Sequence, residues 1–317
     1  MTRHWYAYAR HALVDAFVLA GVQPGDSVLL PRFICRDVLA TLRRVGATPV
    51  WYDVPPTLVV SDSAHWPSAR AVLAVNYFGF AQALAPFRAY CDRTGAVLIE
   101  DNAHGLLSRD TDGALLGTRG DLGILSMRKS LRLADGGALL DCRPGAAHDE
   151  PACDPDAGQG GAGLRAAVAS VERTTGLPVM AAMRAGVRAA RRAAGRPVLP
   201  SSGDEDERRV PGNPAISCSS LARLSRAAAP HEAERRRELW RKVTADLDGA
   251  RGVRLIHDRL PDGTVPYGVA VHADRDDVLR AVARRHRATA MAWPALPADV
   301  APTAPAHYRD VGLVNFL

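Results

Sequence analysis

The feature that most constrains the fold is a series of short apolar runs in the first 140 residues, separated by helix-like segments. Residues 71–77 and 96–101 are continuously apolar until their ends, without the in–out alternation of a half-exposed strand. Strands buried on both faces, with helices between them, are typical of a parallel sheet covered by helices. We therefore predict an α/β fold with a mostly parallel central sheet covered by helices.

The pattern also predicts where a site would lie. The predicted strands are residues 27–30, 49–54, 71–77 and 96–101, and the predicted helices between them are 37–45 and 85–94. In such folds the loops after the carboxyl ends of the strands carry the site. Asn76, Asp101 and the turn at residues 126–129 all fall at such ends.

The chain changes character after about residue 221. A charged helix (230–248) is followed by strand-like segments at 253–256 and 267–271, a helix at 275–287 and the segment 290–294. This order predicts a smaller α+β domain, so we expect a large domain over residues 1–222 and a small one over 223–317. Two stretches rich in Gly, Ala, Ser and acidic residues, 145–163 and 201–214, predict mobile loops with a helical segment (164–196) between them. These loops and Trp293 are candidate walls of a substrate site.

Composition excludes several classes of protein. The net charge is +6, but the arginines are spread along the chain rather than gathered in one stripe, so we expect no nucleic-acid binding. No uncharged apolar run reaches the roughly 18 residues of a membrane span. With no export signal either, we expect a cytoplasmic protein. The five cysteines (35, 91, 142, 153 and 218) include no CxxC pair, which argues against a zinc motif, a metal site or a disulfide framework.

Lysine usage is the most unusual part of the composition. Of the 40 basic residues only Lys129 and Lys242 are lysines. Lysine can form a Schiff base with a carbonyl compound, whereas arginine cannot deprotonate near neutral pH to do so. Lys242 lies in a charged run, but Lys129 lies shortly before Gly136-Gly137. A chemical role for Lys129 is therefore a reasonable hypothesis.

A series of motifs occurs in order around this lysine. The motifs are Tyr8-Ala9-Arg10-His11, Pro24-Gly25-Asp26, Val45-Gly46-Ala47, Glu100-Asp101-Asn102-Ala103-His104, Gly120-Asp121-Leu122 and Ser126 with Lys129 and Gly136-Gly137. The series resembles the DegT/DnrJ/EryC1/StrS family of aminotransferases, which depend on pyridoxal phosphate (PLP) and act mostly on nucleotide-linked keto-sugars. The resemblance covers most of residues 5–140 and implies a fold-type-I PLP transferase.

The resemblance implies roles for single residues. Lys129 matches the lysine that binds the cofactor's aldehyde and later moves a proton on the substrate carbon. Asp101 matches the aspartate on the pyridine nitrogen, which keeps the ring an electron sink. His104 matches a position beside the cofactor's phenolic oxygen.

The remaining matches concern the cofactor's phosphate. Ser126 matches the serine whose hydroxyl meets this group. Arg10 and His11 match the phosphate loop, where backbone amides at a helix start would bind the anion. Asn213 resembles an asparagine that reaches the neighbouring subunit's phosphate, which implies a homodimer.

The chain also departs from the family pattern. Lys129 follows Ser126 by three residues, where commoner members have five. Cys35 falls where many members place an aromatic ring over the cofactor, and Phe33 or Tyr77 could replace it. The chain is shorter than family members at both ends, so we expect a truncated small domain.

We therefore expect a PLP-dependent aminotransferase that moves an amino group from an amino acid donor to a keto substrate, a nucleotide-linked keto-sugar or a related biosynthetic intermediate. The alternative is a non-catalytic or impaired PLP-fold protein with a regulatory or partner-binding role. A sugar dehydratase of this kind is disfavoured because it would have histidine in place of Lys129. A Rossmann oxidoreductase is disfavoured because the first strand–helix turn lacks G-x-G-x-x-G.

Overall fold

The computed structural model describes residues 1–131, 133, 135–145, 153–155, 204–224 and 229–316. Within these residues the chain forms a seven-stranded sheet, a four-stranded sheet and the helices that pack on them. The predicted α/β class, with a mostly parallel central sheet, is confirmed.

The seven-stranded sheet lies in the N-terminal half of the chain. Its strands are β1 (Thr2–Tyr6), β2 (Ser27–Pro31), β3 (Thr48–Tyr52), β4 (Ala71–Val75), β5 (Val97–Asn102), β6 (Leu122–Ser126) and β7 (Gly137–Asp141). Their order is β1-β7-β6-β5-β4-β2-β3. The pairs from β6 to β3 are parallel, and β7 runs antiparallel to both β6 and β1. The sequence pattern did not indicate β1, because Arg3 and His4 interrupt its apolar character.

Three helices connect the parallel strands. They are α1 (Ala9–Leu19), α2 (Val38–Val45) and α3 (Ala85–Thr94). Both α2 and α3 end at a glycine, Gly46 and Gly95, with φ of +72° in each case, a backbone conformation that glycine adopts without a steric cost. Helix α1 packs against β6 and β7 and buries Leu13 and Phe17.

The C-terminal part forms the second sheet. Its elements are α4 (Asp204–Arg208), α5 (Cys218–Leu224), α6 (Ala229–Leu247), β8 (Val253–Leu255), β9 (Gly268–Ala273), α7 (Asp276–Arg285), β10 (Thr289–Ala292), α8 (Ala306–Arg309) and β11 (Val311–Asn315). The sheet is antiparallel, with the order β10-β11-β9-β8. From Ala229 onward these elements coincide with the predicted helices and strand-like segments, and β11 is a central strand that the sequence did not predict. The division into two domains stays a prediction. In the described part of the chain, no helix combines the length and the apolar character that crossing a membrane requires.

The sequence predicts a loop at 201–214, but the acidic stretch around residue 206 forms a helix. Residues Asp204–Arg208 form α4, which docks on α2. The buried Glu207 carboxylate lies 2.6 Å from the Arg36 guanidinium and 3.5 Å from that of Arg43. These charges, distant in the sequence, explain why an acidic segment is ordered here. The predicted helix at 164–196 lies outside the described residues, as does the predicted loop at 145–163 apart from residues 145 and 153–155.

One disulfide was not expected from the cysteine spacing. Cys153 and Cys218 are bonded across 65 residues, with their Cα atoms 5.0 Å apart. A short parallel bridge between Asp154 and Ser217 brings the two cysteines together. The argument from spacing considered only local pairs, so it could not detect this long-range one.

The Asp135-Gly136-Gly137 motif holds the start of α1. The Asp135 carboxylate accepts hydrogen bonds from the Ser217 backbone N–H (3.0 Å) and hydroxyl (2.8 Å). Gly136 has a φ of +138° and donates its N–H to the carbonyl of Ala7 at 2.7 Å. A Cβ atom on Gly137 would collide with the backbone of residues 8 and 9. The double glycine therefore allows the segment before α1 to lie directly on β7.

This close approach makes Gly137→Ala a sharp test of the fold. We expect it to lower the free energy of unfolding by about 3 kcal/mol, because backbone atoms must move to admit the methyl group. Gly25→Ala is the control, since Gly25 has a φ of +92° but nothing within 4 Å of its would-be Cβ. That control should lose only about 1–2 kcal/mol of backbone strain. Urea unfolding measures both, and equal losses would contradict the proposed contact.

Candidate active site

A single pocket lies at the carboxyl ends of β2, β4, β5 and β6, where the strand pattern predicted a site. Its lining includes Asn76 after β4, Asp101 in β5 and Ser126 at the end of β6. Lys129 joins them from a short 3-10 helix, Met127–Lys129, that follows β6 directly. Parallel strands end at one edge of a sheet, so residues 25 or more apart in the sequence meet here.

The lysine is held beside a histidine. The Lys129 Nζ atom lies 3.2 Å from His104 Nε2. Burial, and next the charge of Lys129, lower the pKa of His104 well below its usual value, so its ring is neutral at pH 7. A neutral ring nitrogen facing an amine accepts a hydrogen bond from it, which places the ring's own hydrogen on Nδ1. His104 therefore orients the Lys129 amine and carries no positive charge that would repel it.

Aromatic rings fix the orientation of His104. The ring of Tyr267 stacks on it at 4.4 Å with an interplanar angle of 4°, and Phe78 lies parallel to it with centroids 5.8 Å apart. Trp293 meets its edge at 5.1 Å and also lines the pocket. Sequence reasoning had named Trp293 as a candidate wall, and the structure places it there. It had not identified Tyr267 or Phe78.

Asp101 supplies a buried carboxylate to the same pocket. Burial raises its pKa, and the Ala103 N–H and the charge of Lys129 oppose that rise. One carboxylate oxygen accepts a hydrogen bond from Ala103 N–H at 2.9 Å. The other has no hydrogen-bond partner among the described residues. The site thus contains a buried acceptor that can bind a cationic N–H group.

Arg10 also lines the pocket, from the start of α1. Its guanidinium lies 3.4 Å from the carboxylate of Asp206 on α4 and 3.8 Å from that of Asp37. The first N–H groups of a helix have no partner within the helix, so the start of α1 offers donors to an anion. Arg10 and Ser126 both line the pocket, and their predicted role in binding a phosphate stays a prediction.

Two predicted residues are not brought into this pocket. The ring of His11 contacts the carbonyl of Pro211 through Nε2, and its buried Nδ1 has no partner within the described chain. Asn213 donates to the Asp154 carboxylate at 2.6 Å and accepts from the Ala215 N–H. Among described residues neither side chain lines the pocket. The predicted contact of Asn213 across a dimer stays a prediction.

Cys35 lines the pocket, and the two aromatic residues suggested as its replacement do not. Phe33 is fully buried in the core, and the hydroxyl of Tyr77 donates to the Phe33 carbonyl at 2.7 Å. Both rings pack against Trp293, with centroids 5.3 and 6.1 Å away. Trp293 and Tyr8 are the aromatic residues that line the pocket in the described structure.

A buried polar network behind the site was missed from the sequence. Glu100 is fully buried and lies 2.5 Å from the guanidinium of Arg119. Asn76 donates to Glu100 at 2.8 Å and accepts from Arg119 at 3.0 Å. A signal was present, because a glutamate inside an apolar strand requires a buried partner. The sequence could not show that the partner is Arg119.

Known proteins resemble the N-terminal part of this chain. Residues 7–148 match the model of the DegT/DnrJ/EryC1/StrS aminotransferase family. An L-glutamine:2-deoxy-scyllo-inosose aminotransferase from Streptomyces kanamyceticus is 32% identical over 142 residues, which are 42% of this chain and 33% of that protein. A dTDP-4-dehydro-2,3,6-trideoxy-D-glucose 4-aminotransferase from Saccharopolyspora spinosa is 34% identical over 132 residues, or 39% of this chain and 34% of that one. The matches span about a third of the length of these curated relatives.

Solved structures extend the similarity of fold to nearly the whole chain. A DegT DnrJ EryC1 StrS aminotransferase from Brucella abortus covers 99% of this chain and 80% of its own length, with a TM-score of 0.64 and 18% identity. An aminotransferase from Streptoalloteichus hindustanus gives the same TM-score and coverage at 21% identity. At these identities the comparison shows the fold alone. Residues 7–148 thus match the model of the DegT/DnrJ/EryC1/StrS aminotransferase family, and the fold of the chain is the one found in solved aminotransferases of that description.

Proposed function

We propose that this protein is a PLP-dependent aminotransferase in which Lys129 binds the cofactor. One observation carries the proposal: the Lys129 amine lies 3.2 Å from a neutral, buried His104, in a pocket that also contains the Asp101 carboxylate. Amine, carboxylate and anion-binding residues in one pocket are the groups that PLP requires.

The donor set fits the cofactor group by group. Lys129 would bind the aldehyde carbon. Asp101 would accept the pyridine N–H through the oxygen that has no partner among the described residues. Ser126 and the first amides of α1, with Arg10 beside them, would bind the phosphate.

The chain's own groups then define the chemistry. Bound PLP supplies an electron-withdrawing ring that stabilises negative charge on the substrate carbon. The Lys129 amine, once free, is the base in the pocket that can remove a proton from that carbon and return it elsewhere. His104 would keep this amine in place, with the ring of Tyr267 stacked on His104 and the ring of Trp293 at its edge. Asp101 would keep the pyridine nitrogen protonated.

The substrate class is proposed from the names of the relatives. Both curated relatives named above are aminotransferases, and their names give 2-deoxy-scyllo-inosose, a keto-cyclitol, and dTDP-4-dehydro-2,3,6-trideoxy-D-glucose, a nucleotide-linked keto-sugar, as the substrates. We extend this class to the present chain: a keto-sugar or related biosynthetic intermediate as acceptor, and an amino acid as donor. A homodimer with Asn213 directed at the partner's site completes the proposal.

Substitution of the two lysines tests cofactor binding directly. Incubation with PLP should colour the wild-type protein, and reduction with borohydride should fix the cofactor to Lys129 as a stable adduct. Lys129→Ala should remove both the colour and the adduct, because no arginine can replace the amine. Lys242→Ala is the matched control and should bind PLP as the wild type does, since Lys242 is an exposed partner of Glu238. Labelling that is lost from Lys242→Ala and kept in Lys129→Ala would refute the assignment.

A second experiment separates an enzyme from a PLP-binding protein without turnover. Mixing the coloured protein with glutamate, glutamine or another amino donor should bleach the visible band and release the corresponding keto acid. A keto-sugar should then restore the colour as it is aminated. If the protein binds PLP and no donor bleaches it, the regulatory or partner-binding alternative is favoured instead.

A further inference from the structure

Helix α6 contains one arginine that is almost completely buried. Arg236 is 1% exposed, although the surrounding sequence predicts a charged helix on the surface. A guanidinium removed from water is strongly unfavourable unless its N–H groups all find acceptors. Its Nε atom donates to the Glu232 carboxylate, one helical turn earlier, at 2.7 Å. The Glu232 carboxylate therefore satisfies the Nε donor, and the donors on Nη1 and Nη2 need other acceptors.

The other side of the guanidinium binds backbone carbonyls of two segments. Nη2 donates to the carbonyl oxygens of Ser130 at 3.1 Å and Lys129 at 3.4 Å. Nη1 approaches those of Pro266 at 3.3 Å and Tyr267 at 3.5 Å. One side chain therefore joins the turn that carries the lysine to the segment that carries the Tyr267 ring.

Both segments determine where the lysine amine lies. The short helix Met127–Lys129 ends at Ser130, and carbonyls at a helix end need donors from outside the helix. Arg236 supplies them for Lys129 and Ser130. Tyr267 in turn stacks at 4.4 Å on His104, which holds the Lys129 amine at 3.2 Å. The backbone and the amine of the same lysine are thus fixed through a single guanidinium.

We propose that Arg236 is a positioning residue for Lys129: its planar fork holds the lysine turn and the Tyr267 segment together, so that the amine stays beside His104. The effect of this role on cofactor chemistry rests on the proposed function, whereas the contacts of Arg236 do not depend on it. Lysine in its place would keep the charge, yet its three donors on one compact ammonium cannot reach four carbonyls and a carboxylate. Arg236 is not among the residues that line the pocket in the described structure, so it acts only through Lys129 and Tyr267.

The presence of only two lysines makes a quantitative test possible. Limited labelling of the cofactor-free protein with an amine-reactive sulfonate, followed by peptide mass spectrometry, gives the ratio of modification at Lys129 to that at Lys242. The same ratio is then measured for PLP fixed by borohydride. Lys242 lies on α6 but is exposed, so it reports reagent concentration and general folding. The variants are Arg236→Gln and Arg236→Lys, with Arg241→Gln as the control on the exposed face of α6.

We expect the ratio of PLP fixed at Lys129 to PLP fixed at Lys242 to fall about tenfold or more in both Arg236 variants. The reason is that a charge-assisted hydrogen bond contributes about as much free energy as a tenfold change requires. The sulfonate ratio should change as well, and the circular dichroism of the cofactor band should change sign or intensity. Arg241→Gln should match the wild type in all three. A merely structural role would lower the melting temperature and leave the ratios and the band unchanged in protein that is still folded.

The outcomes are distinguishable from those that test the proposed function. Unchanged ratios in a folded Arg236→Gln protein would overturn the positioning role. If Arg236→Gln does not fold, Arg236→Lys decides the question, because it keeps the Glu232 pair. If the wild type takes up no PLP, the proposed function fails, and the sulfonate ratio alone decides the role of Arg236.

Discussion

The ion pair between Glu100 and Arg119 is the constraint on which the site depends. It lies inside the protein, with the two side chains 2.5 Å apart and Glu100 fully buried, and Asn76 binds both partners. Removing one partner of such a pair leaves an uncompensated charge in the interior, which costs about 3–5 kcal/mol. Successive residues of a strand point to opposite faces, so fixing Glu100 on one face directs Asp101 to the other, into the pocket. The register of β5 against β4 is thereby fixed where the chemistry requires it.

Much of this arrangement could be predicted from the sequence. Continuous apolar runs predicted β2, β4 and β5, and the segments between them predicted helices at 37–45 and 85–94, where α2 and α3 lie. Because parallel strands end at one edge, the positions of Asp101, Ser126 and Lys129 implied a common site before any geometry was known. The scarcity of lysine led to the hypothesis that Lys129 does chemistry there, and that role stays a prediction. The inferences about strands and about the place of the pocket succeeded because they depend on local pattern and on a general rule of topology.

Other features could not be predicted, and the reason is the same for each. The burial of Arg236, the disulfide between Cys153 and Cys218 and the docking of α4 on Arg36 and Arg43 all join segments far apart in the sequence. Nothing in a run of charged residues shows which of them will face the interior. The aromatic lining of the pocket is a similar case, because Trp293 comes from the last quarter of the chain.

The long sequence separation of these contacts also determines the order in which the site can form during synthesis. Lys129 and its guanidinium partner Arg236 are 107 residues apart, and the rings of Tyr267 and Trp293 come later still. When residue 148, the last that matches the family model, leaves the ribosome, the polar residues of the pocket have been made, but Trp293, Tyr267 and the buried Arg236 have not. Contacts of such separation are made late, because long loops must close first. A nascent chain therefore contains Lys129 well before Arg236, Tyr267 and Trp293 can pack around it.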